Sequence, residues 1–149
     1  MFNIRVYGVF ERNGFLLVSE EKIKGETILK FPGGGVEFGE GTLEALKREF
    51  REELGLDVSV IQHLYTTDFF VRSFLDPNDQ VISIYYQVDM PSVPDDEQPN
   101  IGSLEKGQLL KWYNWKVRGT SGFPLPIDKE FIQRMLDEEV LLKSASAFN

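Results

Sequence analysis

Three glutamates near the middle of the chain have the type and spacing of a metal-binding group. Glu49, Glu52 and Glu53 lie in a segment whose apolar residues recur every three or four positions, as in a helix. At about 100° of rotation per residue, the three side chains share one sector about 100° wide. Carboxylates so close repel one another by roughly 1 kcal/mol per pair even in water. Magnesium or manganese, which prefers oxygen ligands and shares its shell with phosphates, would neutralise the group and attract a polyphosphate.

A glycine-rich loop precedes these acids. Residues 33–35 are all glycine and follow Pro32, where a strand is expected to stop. Glycine lets the backbone come close to a ligand, so the carbonyl of Gly34 can add a neutral oxygen to the same cation. Most glycine clusters only form turns. Here the fixed distance to the acids favours a role in the site.

Arg48 stands between the loop and the last two acids in the sequence. Its neighbours four residues away on either side are Glu44 and Glu52, so it can orient Glu52 or pair with Glu40. A solvated, salt-bridged helix face is the alternative explanation, because exposed pairs of this kind are worth well under about 1 kcal/mol. The glycine loop at a fixed spacing makes the metal site the better explanation.

The segment from Gly34 to Leu56 resembles the complete Nudix box. Gly34 is followed after five residues by Glu40, and after seven more by the run REFREELGL, which starts at Arg48. Every defining position matches, over 23 of the 149 residues. Seven fixed identities would arise by chance in about one in a million chains of this length. The chain is therefore expected to be a Nudix hydrolase.

This resemblance implies a role for each matching position. The implied metal ligands are Glu49, Glu52, Glu53 and, through its carbonyl, Gly34. Glu40 and Arg48 would support the loop and the helix. In the family, water attacks phosphorus in line with the leaving phosphate. The expected reaction is therefore hydrolysis, dependent on magnesium or manganese, of a phosphoanhydride bond in a nucleoside-diphosphate compound.

The general base remains open between two sets of glutamates. Glu52 or Glu53 would take the proton from the attacking water. Related enzymes can instead use a glutamate from a later loop, and Glu97 and Glu105 are the candidates for that alternative. The sequence does not decide between them.

Markers downstream of the box narrow the substrate class. Val, Arg and Ser occupy residues 71–73, where ADP-ribose hydrolases of the family carry a proline, and Phe74 stands near the tyrosine of dinucleoside polyphosphate hydrolases. Lys111, not an acid, precedes Trp112, so specificity for oxidised guanine is not supported. Nucleoside triphosphates and nucleotide sugars remain as the expected substrates, with triphosphates preferred.

Two other functions compete with hydrolysis. A Nudix domain kept as a non-catalytic nucleotide sensor or regulatory binding module commonly loses the acids of the box, whereas this chain retains them. A Nudix-fold isomerase acting on an isoprenoid diphosphate would need a catalytic cysteine, and the chain has none. Both alternatives are therefore weaker than the hydrolase hypothesis.

Alternating patterns and turn residues predict the strands that must position the site. They are expected at residues 2–10, 15–18, 27–31, 58–73, 81–88 and 109–117. The first two are expected to form a hairpin around Asn13-Gly14. The strands at 58–73 and 81–88 are expected to pair across the turn residues 76–79, and residues 91–100 should form a solvated loop.

Two helices complete the prediction. The first is expected to start with Thr42 as its N-cap, to stop at Gly55, and to bury the apolar stripe Leu43, Leu46, Phe50 and Leu54. The second is expected to start with Asp128 as its N-cap and to carry Phe131, Met135, Val140 and Leu141 on one face. The fold class is therefore α/β (α+β), and the resemblance implies the Nudix arrangement, an α/β/α sandwich around a central mixed β-sheet.

Length and charge limit the kinds of partner. A chain of 149 residues can enclose one core, so residues 1–149 are expected to form a single domain. The formal net charge of −8 repels phosphodiester backbones. A small nucleoside-diphosphate derivative is therefore the expected partner, and nucleic acid is not. Many relatives dimerise, so a homodimer is compatible with the resemblance.

The remaining composition predicts a cytoplasmic protein. The chain contains no cysteine, which excludes disulfides and thiolate metal sites. No stretch approaches the roughly 18 apolar residues of a membrane span, and Met1 runs directly into the first strand without a leader. No membrane partner is expected.

The single histidine and the aromatic residues have structural explanations that outweigh functional ones. His63 lies in a predicted strand and is expected to be a packing or surface residue. Aromatic residues crowd the second half of the chain and can either pack in the core or line a base-stacking pocket: Tyr65, Phe69, Phe70, Phe74, Tyr85, Tyr86, Trp112 and Trp115. Core packing is the better prediction for any one of them.

Overall fold

The computed structural model describes residues 1–93 and 108–144. Within these ranges the chain forms eight strands and three helices: β1 (Phe2–Val9), β2 (Glu11–Arg12), β3 (Phe15–Ile23), β4 (Glu26–Lys30), β5 (Gly33–Gly35), α1 (Thr42–Leu54), β6 (Ser59–Thr66), β7 (Gln80–Asp89), β8 (Leu109–Asn114), α2 (Trp115–Arg118) and α3 (Pro126–Leu136). No helix in the same ranges combines the length and the apolar character that a membrane crossing requires.

The first sheet is mixed, which confirms the prediction. Its strands lie in the order β5-β1-β7-β6. β1 and β7 run parallel, from Phe2 opposite Gln80 to Val9 opposite Gln87, whereas β5 and β6 are antiparallel to their neighbours. β1 lies inside this sheet, between β5 and β7. Its last four residues are all buried, so side chains on both faces of the strand are covered.

The second sheet is antiparallel and is built on β3, which pairs with β2, β4 and β8. The turn at Asn13 and Gly14, both with positive φ, joins β2 to β3. The predicted hairpin at Asn13-Gly14 is therefore present, but its first strand is much shorter than predicted. β1 pairs with β5 and β7 instead, and residues 10–12 turn back against β3.

The sheets lie between two helices, so that the predicted α/β/α sandwich is confirmed. Val6 packs with Leu46 and Phe50 of α1 in one hydrophobic cluster. Tyr7, on the other face of β1, packs with Phe131 of α3 in a second cluster. Because successive residues of a strand point to opposite faces, β1 joins the two halves of the core.

The start and the buried stripe of α1 differ from the prediction. Gly41 is the N-cap, not Thr42, and the Glu44 side chain accepts a hydrogen bond from the Gly41 N–H. Thr42 bonds to the Tyr86 hydroxyl instead. Leu43 is exposed, whereas Ala45 is fully buried beside Leu46 and Phe50. The helix ends at Leu54 with Gly55 in the left-handed conformation, as predicted.

α3 also begins differently. Its N-cap is Leu125 and its first residue is Pro126, so the prediction of Asp128 as N-cap is wrong. The Asp128 carboxylate accepts a short hydrogen bond from the buried Tyr85 hydroxyl, so it points into the protein. The helix ends at Leu136, before Val140 and Leu141, and Leu141 is exposed.

Two predicted strands are shorter than expected. β6 ends at Thr66, and residues 67–79 form a loop whose turn at residues 76–79 agrees with the prediction. β8 ends at Asn114, where the Asn114 side chain caps the short helix α2. Of the predicted loop at residues 91–100, the structure describes residues 91–93 as a turn, and the remainder lies outside the described ranges.

Candidate active site

The glycine loop lies in close contact with β1 and α1. A side chain at Gly33 would meet the carbonyl oxygen of Val6 at 2.0 Å, and Gly33 has a φ of +150°. A side chain at Gly34 would meet the carboxylate of Glu49 at 2.5 Å. Glycine is therefore required at both positions, once for the backbone and once for the carboxylate.

Arg48 ties the loop to the helix. Its guanidinium donates to both carboxylate oxygens of Glu40, at 2.6 and 3.0 Å, and to the carbonyl of Gly35 at 2.9 Å. It also donates to Glu49 at 3.0 Å and Glu52 at 3.2 Å. The hydrogen bond from Arg48 lowers the pKa of Glu40 to about 2, so Glu40 stays charged. The structure thus places Arg48 and Glu40 where they hold the box together.

Glu49 and Glu53 point towards the glycine loop, whereas Glu52 does not. Glu53 accepts a hydrogen bond from the backbone N–H of Gly33. Burial raises its pKa to about 7; Lys30 opposes the rise and Glu49 adds to it. The Glu52 side chain is 60% exposed and bonds to Arg48. Two of the three predicted acids therefore share a partly buried place, and the third lies at its rim.

The donor set suits a hard divalent cation. Glu49 raises the pKa of Glu53, and a cation that takes the place of the proton would relieve this repulsion. In residues 1–93 and 108–144 no three His, Cys, Asp or Glu side chains are arranged to hold a metal ion, and Glu52 is bonded to Arg48. Glu49 and Glu53 lie against the glycine loop, whereas Glu52 is bonded to Arg48.

A cavity of about 320 Å³ lies on the side of β1 that carries Arg5 and Tyr7. Its walls come from β1, β3, β4 and β7, from residues 71–75 and from the start of α3. Lys30 and Glu21 line the cavity, and their charges lower and raise the pKa of Glu53, respectively. Arg5 also lines the cavity, and the charge of Glu49 raises its pKa. No box acid is among the lining residues, and Arg5, which lies opposite Gly35, connects the cavity to the glycine loop.

Polar pairs in the cavity are largely buried. Lys30 and Glu21 form an ion pair at 2.7 Å with both side chains at most 14% exposed. Asp128 is 4% exposed. Burial raises the pKa of Asp128 to about 6, although its hydrogen bond from Tyr85 lowers it. The cavity wall thus contains one positive side chain, one negative side chain and a carboxyl group whose pKa is about 6.

Comparison with known proteins decides the family. A family model described as the NUDIX domain matches residues 1–117. The chain belongs to the Nudix family. The prediction that the chain is a member of the Nudix hydrolase family is thereby confirmed.

Individual relatives of this Nudix hydrolase are distant. The chain is 28% identical over 124 residues to the U8 snoRNA-decapping enzyme of Homalodisca vitripennis, a match that covers 83% of this chain and 60% of that protein. The chain thus spans less than two thirds of the length of this relative. Each solved structure below is less than 25% identical and supports the Nudix fold alone.

Three solved structures share the fold over most of their length. The E. coli ORF135 protein has a TM-score of 0.68 at 22% identity and covers 93% of this chain and 91% of its own. A NUDIX hydrolase from Nitrosomonas europaea has a TM-score of 0.63 at 19% identity, with 97% of both chains covered. The MutT protein from Bacillus halodurans has a TM-score of 0.64 at 18% identity and covers 90% and 82%.

Several charged residues that line the cavity were not predicted from the sequence. Arg5, Glu21 and Lys30 lie in ordinary strands, and a charged residue in the central strand β1 was the one signal that could have found Arg5. The candidate bases Glu97 and Glu105 lie outside the described residues.

The aromatic residues and His63 behave mainly as predicted. Tyr65, Tyr85 and Trp115 are buried in the core. Core packing is wrong for Phe69, Phe70 and Phe74, which are exposed, and Phe74 lines the cavity. His63 bonds to the Thr66 hydroxyl and contacts the Tyr86 ring on the outer side of β6, which agrees with a packing or surface role.

Replacing Asp128 with asparagine should stabilise the protein increasingly as pH rises. The pKa of Asp128 is about 6 in the folded protein, above its ordinary value of 3.8, so the folded state binds the proton more tightly. That stabilisation is complete below about pH 4 and is lost as pH rises through about 6. Asparagine stays neutral and still accepts from Tyr85. We expect a gain of about 1–3 kcal/mol at pH 8 relative to pH 4.

Urea unfolding of the wild type and Asp128→Asn at pH 4 to 8 measures this gain. The exposed Asp57, which pairs with Arg51 on the surface, provides the matched control Asp57→Asn, expected to show little pH dependence. A difference between Asp128→Asn and the wild type that stays constant with pH would contradict the assignment of this titration.

Proposed function

We propose that this Nudix hydrolase cleaves a phosphoanhydride bond in a nucleoside-diphosphate compound, with a nucleoside triphosphate preferred over a nucleotide sugar. The observation that carries the proposal is the placement of Glu49 beside Gly34 and of Glu53 beside Gly33, on the glycine loop next to Arg5. Glu49, Glu53, Glu52 and the Gly34 carbonyl would hold magnesium or manganese. The bound cation would neutralise anhydride oxygens and lower the pKa of the attacking water.

The side chains of the box have separable roles in this proposal. Arg48 and Glu40 keep the loop and the helix in one arrangement, which preserves the position of the acids when substrate binds. Glu53, held by the N–H of Gly33, is our choice for the group that takes the proton from water. Glu52 is the alternative, because its exposed carboxylate can turn away from Arg48.

The cavity would receive the nucleoside. Its volume of about 320 Å³ lies at the lower end of the range for small-molecule sites. Tyr7 and Tyr85 provide aromatic surface, and Asp128 provides a polar group for the edge of a base. A substrate with its base here and its anhydride at Glu49 would span the site in one extended conformation.

Capped RNA is a less favoured substrate for this chain. The relative from Homalodisca vitripennis is named as a snoRNA-decapping enzyme, but the net charge of −8 here opposes a long phosphodiester. A cap dinucleotide carries the same anhydride without the RNA. It therefore belongs in the substrate panel.

Turnover of a nucleotide panel tests the proposed function. The panel contains the nucleoside triphosphates, nucleotide sugars and a cap dinucleotide, each with magnesium, with manganese and with EDTA. We expect at least one compound to be cleaved, and its rate to fall at least about a hundredfold when the cation is removed. Tight binding across the panel without turnover would instead identify a nucleotide sensor, and equal rates in EDTA would exclude the metal-dependent mechanism.

A further inference from the structure

Arg5 lies where the box meets the cavity. In the sheet it stands opposite Gly35 of β5 on one side and opposite Ser83 of β7 on the other. Its side chain lines the cavity. A Cβ added to Gly35 would lie 3.9 Å from Nη1 of Arg5, so no side chain separates this guanidinium from the glycine loop.

The guanidinium is held at one end only. Its Nε donates to the Tyr7 hydroxyl at 2.6 Å, and Tyr7 is two residues along the same face of β1. Among residues 1–93 and 108–144, no carboxylate oxygen lies within 4 Å of Arg5 and no protein atom accepts from Nη1 or Nη2. The two terminal nitrogens therefore offer a fork of donors that the described protein does not use.

Other cations of the site are committed elsewhere. Lys30 is neutralised by Glu21 at 2.7 Å, and Arg48 is bonded to the box acids. Arg72 donates to the carbonyl of Pro77. Its backbone forms a β-bridge with Gln80, which lies opposite the first residue of β1, three residues before Arg5. Arg5 is thus the cation best placed for an anion that runs from the box into the cavity.

The surrounding charges keep Arg5 protonated although it is largely enclosed. Burial lowers its pKa, but Tyr7, Glu49 and Glu21 outweigh that effect and raise the pKa above the ordinary value. A permanently charged fork matches the two oxygens of a phosphate, and bidentate arginine contacts are among the strongest hydrogen bonds in proteins.

We propose that Nη1 and Nη2 of Arg5 bind the phosphate ester that stays on the nucleoside, while Tyr7 holds the guanidinium in the required orientation. This assignment rests on the proposed function, because that function puts the anhydride at the box and the nucleoside in the cavity. The phosphate that joins the nucleoside to the anhydride would therefore lie next to Arg5. Arg5 is therefore a substrate-binding residue, and Tyr7 is a positioning residue.

Binding of reaction products separates this role from a structural one. Calorimetric titrations use AMP, GMP, CMP and UMP, their four nucleosides, and magnesium pyrophosphate. For the monophosphate that binds best, Arg5→Met should weaken binding about 10- to 100-fold, the value of a charged hydrogen-bond pair. Binding of the matching nucleoside and of magnesium pyrophosphate should change less than about twofold.

Three further variants guard against a fold defect. Arg5→Lys keeps the charge and loses the pair of terminal donors. It should have the thermal stability of the wild type, and it should recover less than half of the binding free energy that Arg5→Met loses. Tyr7→Phe should weaken monophosphate binding several-fold through the freed Nε. Arg72→Met, the matched control on the same cavity, should weaken it less than about threefold.

Each outcome decides the assignment. It would be overturned if Arg5→Met bound the monophosphate as tightly as the wild type, or if Arg5→Met and Arg72→Met lost equal affinity. It would also be overturned if only pyrophosphate binding weakened, or if the wild type bound no monophosphate. If the nucleotide panel is cleaved while Arg5→Met binds normally, the hydrolase stands and the Arg5 site fails. If no compound is cleaved but monophosphate binding depends on Arg5, the phosphate site stands and the hydrolase fails.

Discussion

Glu53→Gln should lower the turnover number at least about a hundredfold while the circular dichroism spectrum stays unchanged. The neutral amide cannot neutralise a divalent cation and cannot take a proton from water. The fold should tolerate the change, because the amide still accepts the N–H of Gly33 and no longer repels Glu49. Steady-state rates with saturating magnesium measure the effect, and thermal unfolding checks the fold.

Glu44→Gln is the matched control for this substitution. Glu44 lies on the same helix, and a glutamine there still accepts the N–H of Gly41 in the capping box. The control removes one negative charge from α1 and should change turnover less than about twofold. Wild-type turnover in Glu53→Gln would contradict the proposed mechanism.

Glu52→Gln is also expected to lose at least about a hundredfold in turnover, because the family resemblance implies that Glu52 is a metal ligand. The structure adds a distinction between the two acids. Glu52 starts from a bond to Arg48 at the rim, whereas Glu53 already lies against the glycine loop. If the solvent isotope effect or the pH dependence of turnover changes only in Glu52→Gln, the general base is Glu52 and not Glu53.

Alanine at Gly34 should abolish most of the activity without unfolding the protein. The added Cβ would lie 2.5 Å from the Glu49 carboxylate, which is the end of a flexible side chain and can move away. Moving it displaces a proposed metal ligand. We expect kcat/KM to fall about 10- to 100-fold, as for other displaced groups at reacting centres, and the midpoint of unfolding to change little.

The neighbouring glycines provide opposite controls. At Gly33 the added Cβ would meet the backbone oxygen of Val6 at 2.0 Å, and the φ of +150° is strained for alanine. Gly33→Ala should therefore lower the free energy of unfolding by about 3 kcal/mol or more. At Gly35 the nearest atom, Nη1 of Arg5, lies at 3.9 Å, so Gly35→Ala should be as stable as the wild type. Unfolding of Gly34→Ala, or full activity in it, would contradict the prediction.

The Nudix box and its helix were predictable because their signals are local. The spacing from Gly34 to Leu56 and the period of three to four residues identify α1 without knowledge of the sheets. Errors at its start have a local cause too. Gly41 and Thr42 are both acceptable N-caps by residue type, and Thr42 is drawn away by its bond to the Tyr86 hydroxyl.

The cavity was not predictable because it depends on contacts between distant segments. Arg5, Lys30 and Asp128 come from three parts of the chain, and periodicity shows which face of a strand is buried but not which strands are adjacent. Asp128 shows the failure most directly. Its type and position suit an N-cap, but Tyr85, 43 residues earlier, supplies a buried donor that a local pattern cannot reveal.

The central strand β1 serves the two sides of the site at once. Arg5 and Tyr7 face the cavity, and Val6 between them packs under α1. Inserting or deleting one residue within β1 would exchange these faces, placing a guanidinium under the helix and an isopropyl group in the nucleotide space. Attempts to redesign substrate choice should therefore keep the length of this strand and vary the side chains of residues 71–75, which line the cavity from a loop.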